Sequence, residues 1–307
     1  MEKALQPKKC AVIGIVGRTN SGKSTLLNTL VGEKVSIVSP VVQTTRNTIR
    51  AVLTQDNTQL VFLDTPGLHK AVGNLGSLMN RMARSASAGV DILMVVFDAS
   101  KKPLMEDDGW MRRALKTDQQ LIFVLNKKDR SGFNTQPFHE LYNNIQAENN
   151  SSVKADWIES SAVTEKGVSA LRQCLLDLAP PAEDFLFPED IITDYPRKLA
   201  VADTIREKFL GKVYNEVPHE LGVFIEHIAE SANCWDISAV VYVNRSSQKG
   251  FVIGPKGSTL KTVRKKAEKE LSYIFDTKVK ISLWVKVEKN WFKNSRLLEQ
   301  MGYAGPL

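Results

Sequence analysis

The sequence predicts an α/β protein in two parts, a doubly wound domain built around a phosphate-binding loop and a smaller α+β domain after it. Three observations carry that expectation. The apolar run Cys10–Val16 opens directly onto Gly17-Arg18-Thr19-Asn20-Ser21-Gly22-Lys23-Ser24, which satisfies G-x-x-x-x-G-K-[ST]. Buried-strand and amphipathic-helix signals then alternate as far as Leu178, the pattern of a mainly parallel sheet with helices on both faces. After Pro180-Pro181 the pattern changes to a helix, two strands, two helices split by glycines, and a closing strand. A length of 307 residues suits two such units. The expected boundaries are 1–180 for the first domain, 181–197 for an acidic, Pro-punctuated linker, 198–288 for the second domain and 289–307 for a tail.

Composition narrows the class. With 43% hydrophobic and 24% charged residues the chain is globular in type. Cys10, Cys174 and Cys234 are odd in number and widely spaced, which argues against a disulfide framework. His69, His139, His219 and His227 show no metal-ligand spacing with them. The longest apolar runs, such as Ile92–Phe97, are too short to span a bilayer, and Met1–Lys9 leads into no apolar signal segment. A soluble cytoplasmic protein is expected. The net charge of +7 and a pI near 9.2 favour a polyanionic partner.

Each element of the first domain has a chemical reading. In the phosphate loop, Gly17 and Gly22 let successive backbone N–H groups turn toward phosphate oxygens at the N-terminus of a helix running through Thr25 to Leu30. Lys23 would neutralise the β- and γ-phosphates, and the Ser24 hydroxyl would hold Mg2+. Asn20, Ser21 and Thr25 complete the expected nucleotide contacts. Thr48–Leu53 and Leu60–Leu63 read as a hairpin around Gln55–Thr58. The second strand delivers Asp64-Thr65-Pro66-Gly67, followed by Leu68. Asp64 is placed to complete the Mg2+ shell, and Gly67 to bring a backbone N–H to the γ-phosphate.

Gln43-Thr44-Thr45-Arg46 lies in a stretch poor in secondary-structure signals. A threonine there can give its hydroxyl to Mg2+ and its amide to the γ-phosphate, ordering the loop only with a triphosphate. Thr45 is preferred over Thr44.

Val90–Phe97 and Leu121–Leu125 read as buried strands, the second opening onto Asn126-Lys127-Lys128-Asp129. An Asp in this N-K-x-D pattern accepts two hydrogen bonds from guanine N1–H and the exocyclic amine, whereas adenine presents the opposite arrangement. Asn126 braces neighbouring loops and the Lys127 stem covers the base. Trp157–Ser160 leads into Ser161-Ala162-Val163, whose amides can reach the guanine oxygen. Helices are expected at Gly76–Ala88, Asp107–Leu115, Pro137–Ile145 and Gly167–Leu178. A phosphate-loop ATPase or kinase is the competing enzyme class, and Asp129 argues against it.

In the second domain, Arg197–Lys212 has helical apolar spacing, Val223–Ile228 and Ile237–Val243 read as strands, and Lys280–Val287 closes the unit. Gly254-Pro255-Lys256-Gly257 sits between two helical segments, the second from Thr259 to about Leu271. A chain of this length should contain about one or two G-x-x-G matches by chance; this one has four, starting at Gly14, Gly73, Gly254 and Gly302. Only the match at Gly254 follows an apolar V-I run, carries a lysine and precedes a basic helix. That order, α-β-β-α-α-β, is the arrangement of a type II KH module, in which the tight loop admits an RNA backbone and an adjoining groove takes single-stranded bases. From Arg245 to Arg296 there are 14 basic residues against four acidic ones. Lys256 in the loop and Lys261 and Lys265 on the helix after it are expected at phosphates. Trp291 could stack on a base or cover the sheet.

Taken together, five guanine-nucleotide motifs in order place the first domain among translation-factor-class GTPases by resemblance. The Q-T-T-R and D-T-P-G-L forms, Phe187-Pro188-Glu189-Asp190 and Leu283-Trp284-Val285-Lys286-Val287 resemble the Era family, over Cys10 to about Tyr303. The resemblance implies GTP and GDP as ligands with Mg2+, and a monomer that binds 16S-type small-subunit rRNA near its 3′ end. It implies a role in assembly of the small ribosomal subunit, with weak peripheral contact at the inner face of the cell membrane. A membrane-surface GTPase whose basic half binds anionic lipid is the alternative. Ras-like enzymes carry a water-orienting Gln where this chain has Leu68, so slow intrinsic hydrolysis is expected. By similarity to related GTPases, Asn20 is a candidate to help hold K+; a loop-shaping hydrogen bond is its other reading.

Overall fold

The computed structural model describes residues 7–39, 46–66, 75, 79, 89–150, 152–212, 217–218 and 220–303. The chain divides into two compact units, with the main boundary between Asp194 and Tyr195.

In the first unit six strands form one sheet in the order β2-β3-β1-β4-β5-β6: β1 (Lys9–Val16), β2 (Ile49–Gln55), β3 (Thr58–Asp64), β4 (Ile92–Asp98), β5 (Gln120–Asn126) and β6 (Asp156–Glu159). The β2–β3 hairpin is antiparallel and the remaining pairs are parallel. Its tight turn holds Asp56 in the left-handed region, at φ 52°. Among the described residues the faces are covered by the helices α1 (Lys23–Val31), α2 (Met105–Ala114), α3 (Gln136–Asn149) and α4 (Val168–Leu178).

Alternation along the strands sorts the core into two layers. Ile13, Ile15, Met94, Val96, Ile122 and Val124 pack with Leu26 and Leu30 of α1 and Leu171 and Leu175 of α4. Leu93, Val95, Phe97, Leu121 and Phe123 pack on the other side with Trp110 of α2 and Phe138 of α3. Each such fully buried apolar side chain contributes about 1.5–3 kcal/mol. Phe97 meets Phe123 edge-on at 5.6 Å between ring centres. This is the doubly wound arrangement, and it sends the C-terminal ends of β1, β3 and β5 to one edge, where the motifs lie.

Residues 181–194, expected as a linker, run along the sheet edge of this unit. Cys10 N–H donates to Pro180 O at 3.0 Å and Val52 N–H to Ile192 O at 2.7 Å. Gln59, on β3, takes the Phe187 N–H and returns a donor to Phe187 O, both at 2.9 Å. Of the helix expected at 76–88, Met79 alone is described, and it is helical and buried, as is the neighbouring Leu75. The rest lies outside the described residues.

The second unit begins with α5 (Arg197–Leu210), followed by β7 (Gly222–Glu230), β8 (Cys234–Val243), α6 (Ser246–Ile253), a single 3-10 turn at Pro255–Gly257, α7 (Ser258–Ile274), β9 (Lys278–Val287) and a terminal α8 (Ser295–Gln300). The sheet order is β7-β8-β9, antiparallel then parallel, with a bulge between Ile225 and His227. One face of α7 (Val263, Ala267, Leu271) joins Val201, Ile205 and Phe209 of α5 over Ile237, Ala239, Val241, Val279 and Ile281. Its other face carries Lys261, Lys265 and Lys269 into solvent.

Trp291 settles between its two readings. The side chain is fully buried and its Nε1–H donates to Glu220 O at 2.7 Å. Its ring lies so close over Gly222 that a Cβ there would sit 2.8 Å from it. Trp291 therefore covers the domain's own backbone and is not available to stack on a base. Among the described residues, no helix is long and apolar enough to cross a membrane.

Candidate functional site

The phosphate loop is shaped by backbone conformations that only particular residues accept. Gly17, just past β1, has φ 145°, and an added Cβ would lie 2.4 Å from Val96 O. Gly22, at φ 102°, caps α1, and a Cβ there would lie 2.2 Å from Asn126 Nδ2. Between them Asn20 adopts the left-handed region at φ 62°, which Asn tolerates better than most side chains. Lys23 is buried and its ammonium donates to Gly17 O at 3.1 Å and Arg18 O at 3.0 Å. Burial lowers its pKa to about 8, against the opposing pull of Asp64. A phosphate group in the loop would favour the charged form further. Arg18 ties the loop to α2 through an ion pair with Asp107 at 3.3 Å.

Asp64, the last residue of β3, is fully buried beside that lysine. Burial pushes its carboxyl upward, while Lys23 and the hydroxyls of Ser24 and Ser36 pull it back. Ser24 Oγ donates to Asp64 Oδ2 at 2.8 Å, and Ser36 Oγ to the same oxygen at 2.9 Å. Asp64 Oδ1 is buried with no hydrogen-bond partner among the described residues. A buried carboxylate oxygen left unpaired beside a serine hydroxyl fits a hydrated Mg2+. Among the described residues no group of three or more His, Cys, Asp or Glu could hold a metal; of the expected Mg2+ ligands, Ser24 and Asp64 are the described ones. Thr65 is buried and donates to Ile15 O at 2.9 Å, joining β3 to β1 beneath the loop. Pro66 ends this part of the described chain. Thr45, Gly67 and Leu68 lie outside the described residues.

The base-reading motif is braced on three sides. Asn126, at the end of β5 and buried, donates to Ser21 O at 3.0 Å and accepts from Ala162 N–H at 3.2 Å and Ser160 Oγ at 3.3 Å. It therefore locks the phosphate loop to the loop after β6. Lys127, at φ 71°, donates to Asn20 O at 2.6 Å and Asp98 Oδ2 at 2.7 Å. Burial raises the Asp98 carboxyl, but the Lys127 and Ser100 hydrogen bonds outweigh it and hold the group below its ordinary range. Lys128 reaches outward to Glu159 at 2.7 Å. Asp129 is exposed, and its Oδ1 accepts Ser161 Oγ–H at 2.6 Å, while Ser161 Oγ accepts Thr164 N–H at 3.1 Å. Ser161 thus orients the carboxylate and leaves its second oxygen toward solvent chemistry. The structure brings the described residues of four of the five motifs, the phosphate loop, Asp64–Pro66, Asn126–Asp129 and Ser161–Ala162, to the C-terminal edge of one sheet.

Asn28, Ser36 and Asp98 were not anticipated from sequence. Asp98 ends an apolar strand as many turn-forming residues do, and only its pairing with Lys127 marks it. Asn28 and Ser36 carry no local motif at all.

In the second unit the G-x-x-G loop is built as expected between α6 and α7. Gly254 has φ 74° and ψ 171°, a region restricted to glycine, and a Cβ there would lie 2.2 Å from Thr259 Oγ1. Gly257 has φ 77° with nothing within 4 Å of the added atom, so its side is open. Pro255 and Lys256 are exposed, as are Lys261 and Lys265 on the first turns of α7, and none of the three lysines forms an ion pair among the described residues. Phe251, one turn before Gly254, is 68% exposed and offers an apolar surface next to the loop in sequence.

Residues 12–127 match the family described as 50S ribosome-binding GTPase, and residues 216–292 match the KH domain. The chain is 39% identical to GTPase Era of Crocosphaera subtropica, covering 96% of this chain and 92% of that one. It is 36% identical to GTPase Era of Clostridioides difficile, over 96% and 98%. Among solved structures it resembles a point variant of Era from Aquifex aeolicus bound to GDP and aluminium fluoride, with TM-score 0.88, 32% identity and coverage of 96% and 99%. It also resembles Era in complex with MgGDPNP and nucleotides 1506–1542 of 16S ribosomal RNA, with TM-score 0.88, 34% identity and coverage of 97% and 99%. On full-length identity, two matched domains in the same order and the braced guanine-nucleotide motifs, the chain belongs to the Era family of GTPases.

Proposed function

We propose that this GTPase is a nucleotide-controlled RNA binder that takes single-stranded small-subunit rRNA near its 3′ end and assists assembly of the small ribosomal subunit. The observation that carries the RNA half is the relative of 34% identity solved with MgGDPNP and nucleotides 1506–1542 of 16S rRNA, set beside the Gly254–Gly257 loop of this chain, which is open at Gly257 and carries the exposed Lys256. Lys23 holds the β- and γ-phosphates, the N–H groups of Ser21–Thr25 cradle them, and Asp129 selects guanine. Ser24, Asp64 and, by its motif, Thr45 hold Mg2+, which when bound neutralises charge building on the transferred phosphoryl group. The Gly67 amide meets the γ-phosphate in the same reading. Leu68 offers no polar atom to orient the attacking water, so turnover is slow and the protein acts as a timer. GTP orders the loop around Thr45, RNA binding follows the nucleotide state, and hydrolysis resets it.

In-cell crosslinking with sequencing of the bound RNA tests this reading. Reads are expected to pile up near the 3′ end of small-subunit rRNA; a diffuse messenger-RNA profile would overturn it. We place the protein in the cytoplasm as a monomer, with peripheral membrane contact through its basic face a secondary association. Asn20 is exposed in the phosphate loop at φ 62°, and by similarity to related GTPases we assign it to a K+ that would supply charge where no arginine finger does. Turnover measured in KCl should exceed that in NaCl at equal ionic strength, and Asn20→Ala should remove the difference. Equal rates in both salts would dispose of the K+ role.

A further inference from the structure

Asp64 takes two hydroxyls on one oxygen, and only one of them belongs to the phosphate loop. The second comes from Ser36, which is 1% exposed and belongs to no recognised motif. It is delivered there by Asn28, one turn beyond the phosphate-loop end of α1. Asn28 Oδ1 accepts the N–H groups of Val35 at 3.1 Å and Ser36 at 2.9 Å, and Nδ2 donates to Ser36 O at 2.8 Å. The helix ends in between, at Gly32 in the left-handed region, where its N–H returns to Asn28 O at 2.8 Å. One side chain therefore satisfies three backbone groups just after the helix and fixes where residue 36 lies.

That tether is complete without the Ser36 hydroxyl, which is directed instead to Asp64 Oδ2. With Ser24 and Ser36 both donating to Oδ2, the carboxylate cannot rotate without breaking two charge-assisted bonds, and Oδ1 is buried without a hydrogen-bond partner among the described residues. Ser24 can keep its donor bond and still offer a lone pair to a cation. Were Ser24 to turn away toward Mg2+, Ser36 alone would hold the carboxylate.

We propose that Ser36, set in place by Asn28, is a positioning residue for Mg2+, holding the Asp64 carboxylate beside Ser24, where it can accept from the metal's water shell. The proposal rests on the nucleotide-site reading above. Groups that orient a ligating carboxylate change metal affinity by about 10- to 100-fold when removed.

The test is release of a fluorescent GDP analogue from the full chain across a Mg2+ titration. In the unmodified chain, Mg2+ should slow release with a defined midpoint. Ser36→Ala should move that midpoint to about tenfold higher Mg2+ or more, with little change in release when EDTA removes the metal. Ser36→Thr, which keeps the hydroxyl, should restore the original midpoint. Asn28→Ala should shift the midpoint in the same direction, giving a second readout if Ser36→Ala folds poorly. An unshifted midpoint in Ser36→Ala, or release accelerated equally with and without Mg2+, would overturn the role and leave only a loop anchor. Failure of the unmodified chain to bind the analogue at all would instead overturn the nucleotide reading itself.

Discussion

Asp129→Asn is expected to move nucleotide preference from GTP to XTP, changing the ratio of their affinities by about three orders of magnitude or more. The carboxylate accepts two N–H groups from guanine. An amide in its place puts an NH2 donor against the exocyclic amine, so two donors face each other and the site loses its bond and gains a buried mismatch. Xanthine carries a carbonyl at that position, which the new amide can satisfy. The surroundings allow the exchange to be clean. Asp129 is exposed and its Oδ1 accepts only from Ser161 Oγ at 2.6 Å among the bonds described, a role the Asn oxygen can keep. Asn126, which carries the bracing bonds to Ser21, Ser160 and Ala162, is untouched. Displacement of a fluorescent GDP analogue by GTP and by XTP measures the ratio. Unchanged GTP affinity in the variant would contradict the assignment of Asp129 as the base reader.

How far the sequence led depended on whether the signal was local. The strand–loop–helix around Gly17–Ser24 was legible because the loop needs glycine at left-handed φ and at close approach, and both demands show as residue identity. The strands Ile92–Asp98 and Gln120–Asn126 were legible for the same reason: their interiors, Ile92–Phe97 and Leu121–Leu125, are buried and apolar throughout. Boundaries were less so. The helix expected at Pro137–Ile145 extends over Gln136–Asn149, because its last turn is polar and no periodic residue marks it.

Contacts distant in sequence were not legible. Ser36 and Asp64 stand 28 residues apart, and Asp98 and Lys127 29; neither pairing has a local signature. Residues 181–194 looked like a connector by composition, yet Gln59 and Val52 supply backbone partners that composition cannot reveal. Trp291 was ambiguous in sequence because burial and base stacking favour the same side chain, and only its packing over Gly222 decided.

The two glycines of the RNA loop, equivalent in sequence, separate into different experiments. Substituting Gly254 would test little, since φ 74° with ψ 171° excludes other residues and the new Cβ would lie 2.2 Å from Thr259 Oγ1 and 2.9 Å from Thr259 N. Any loss of RNA binding there would be inseparable from distortion of the start of α7. Gly257 is the informative position. Its φ of 77° costs a substituted residue about 1–2 kcal/mol, less for Asp or Asn, which enter this region readily, and no atom obstructs the new side chain. Gly257→Asp should therefore fold and place a negative charge where an RNA phosphate approaches, beside Lys256. Affinity for a single-stranded oligonucleotide from the 3′ region of small-subunit rRNA should fall roughly a hundredfold, since juxtaposed like charges cost several kcal/mol. Gly257→Asn carries the same backbone cost without the charge and should retain most of the affinity. Fluorescence anisotropy at fixed salt, with thermal melting to confirm folding, compares the two. Equal losses in both would trace the effect to loop conformation, and undiminished binding by Gly257→Asp would remove this loop from the RNA interface.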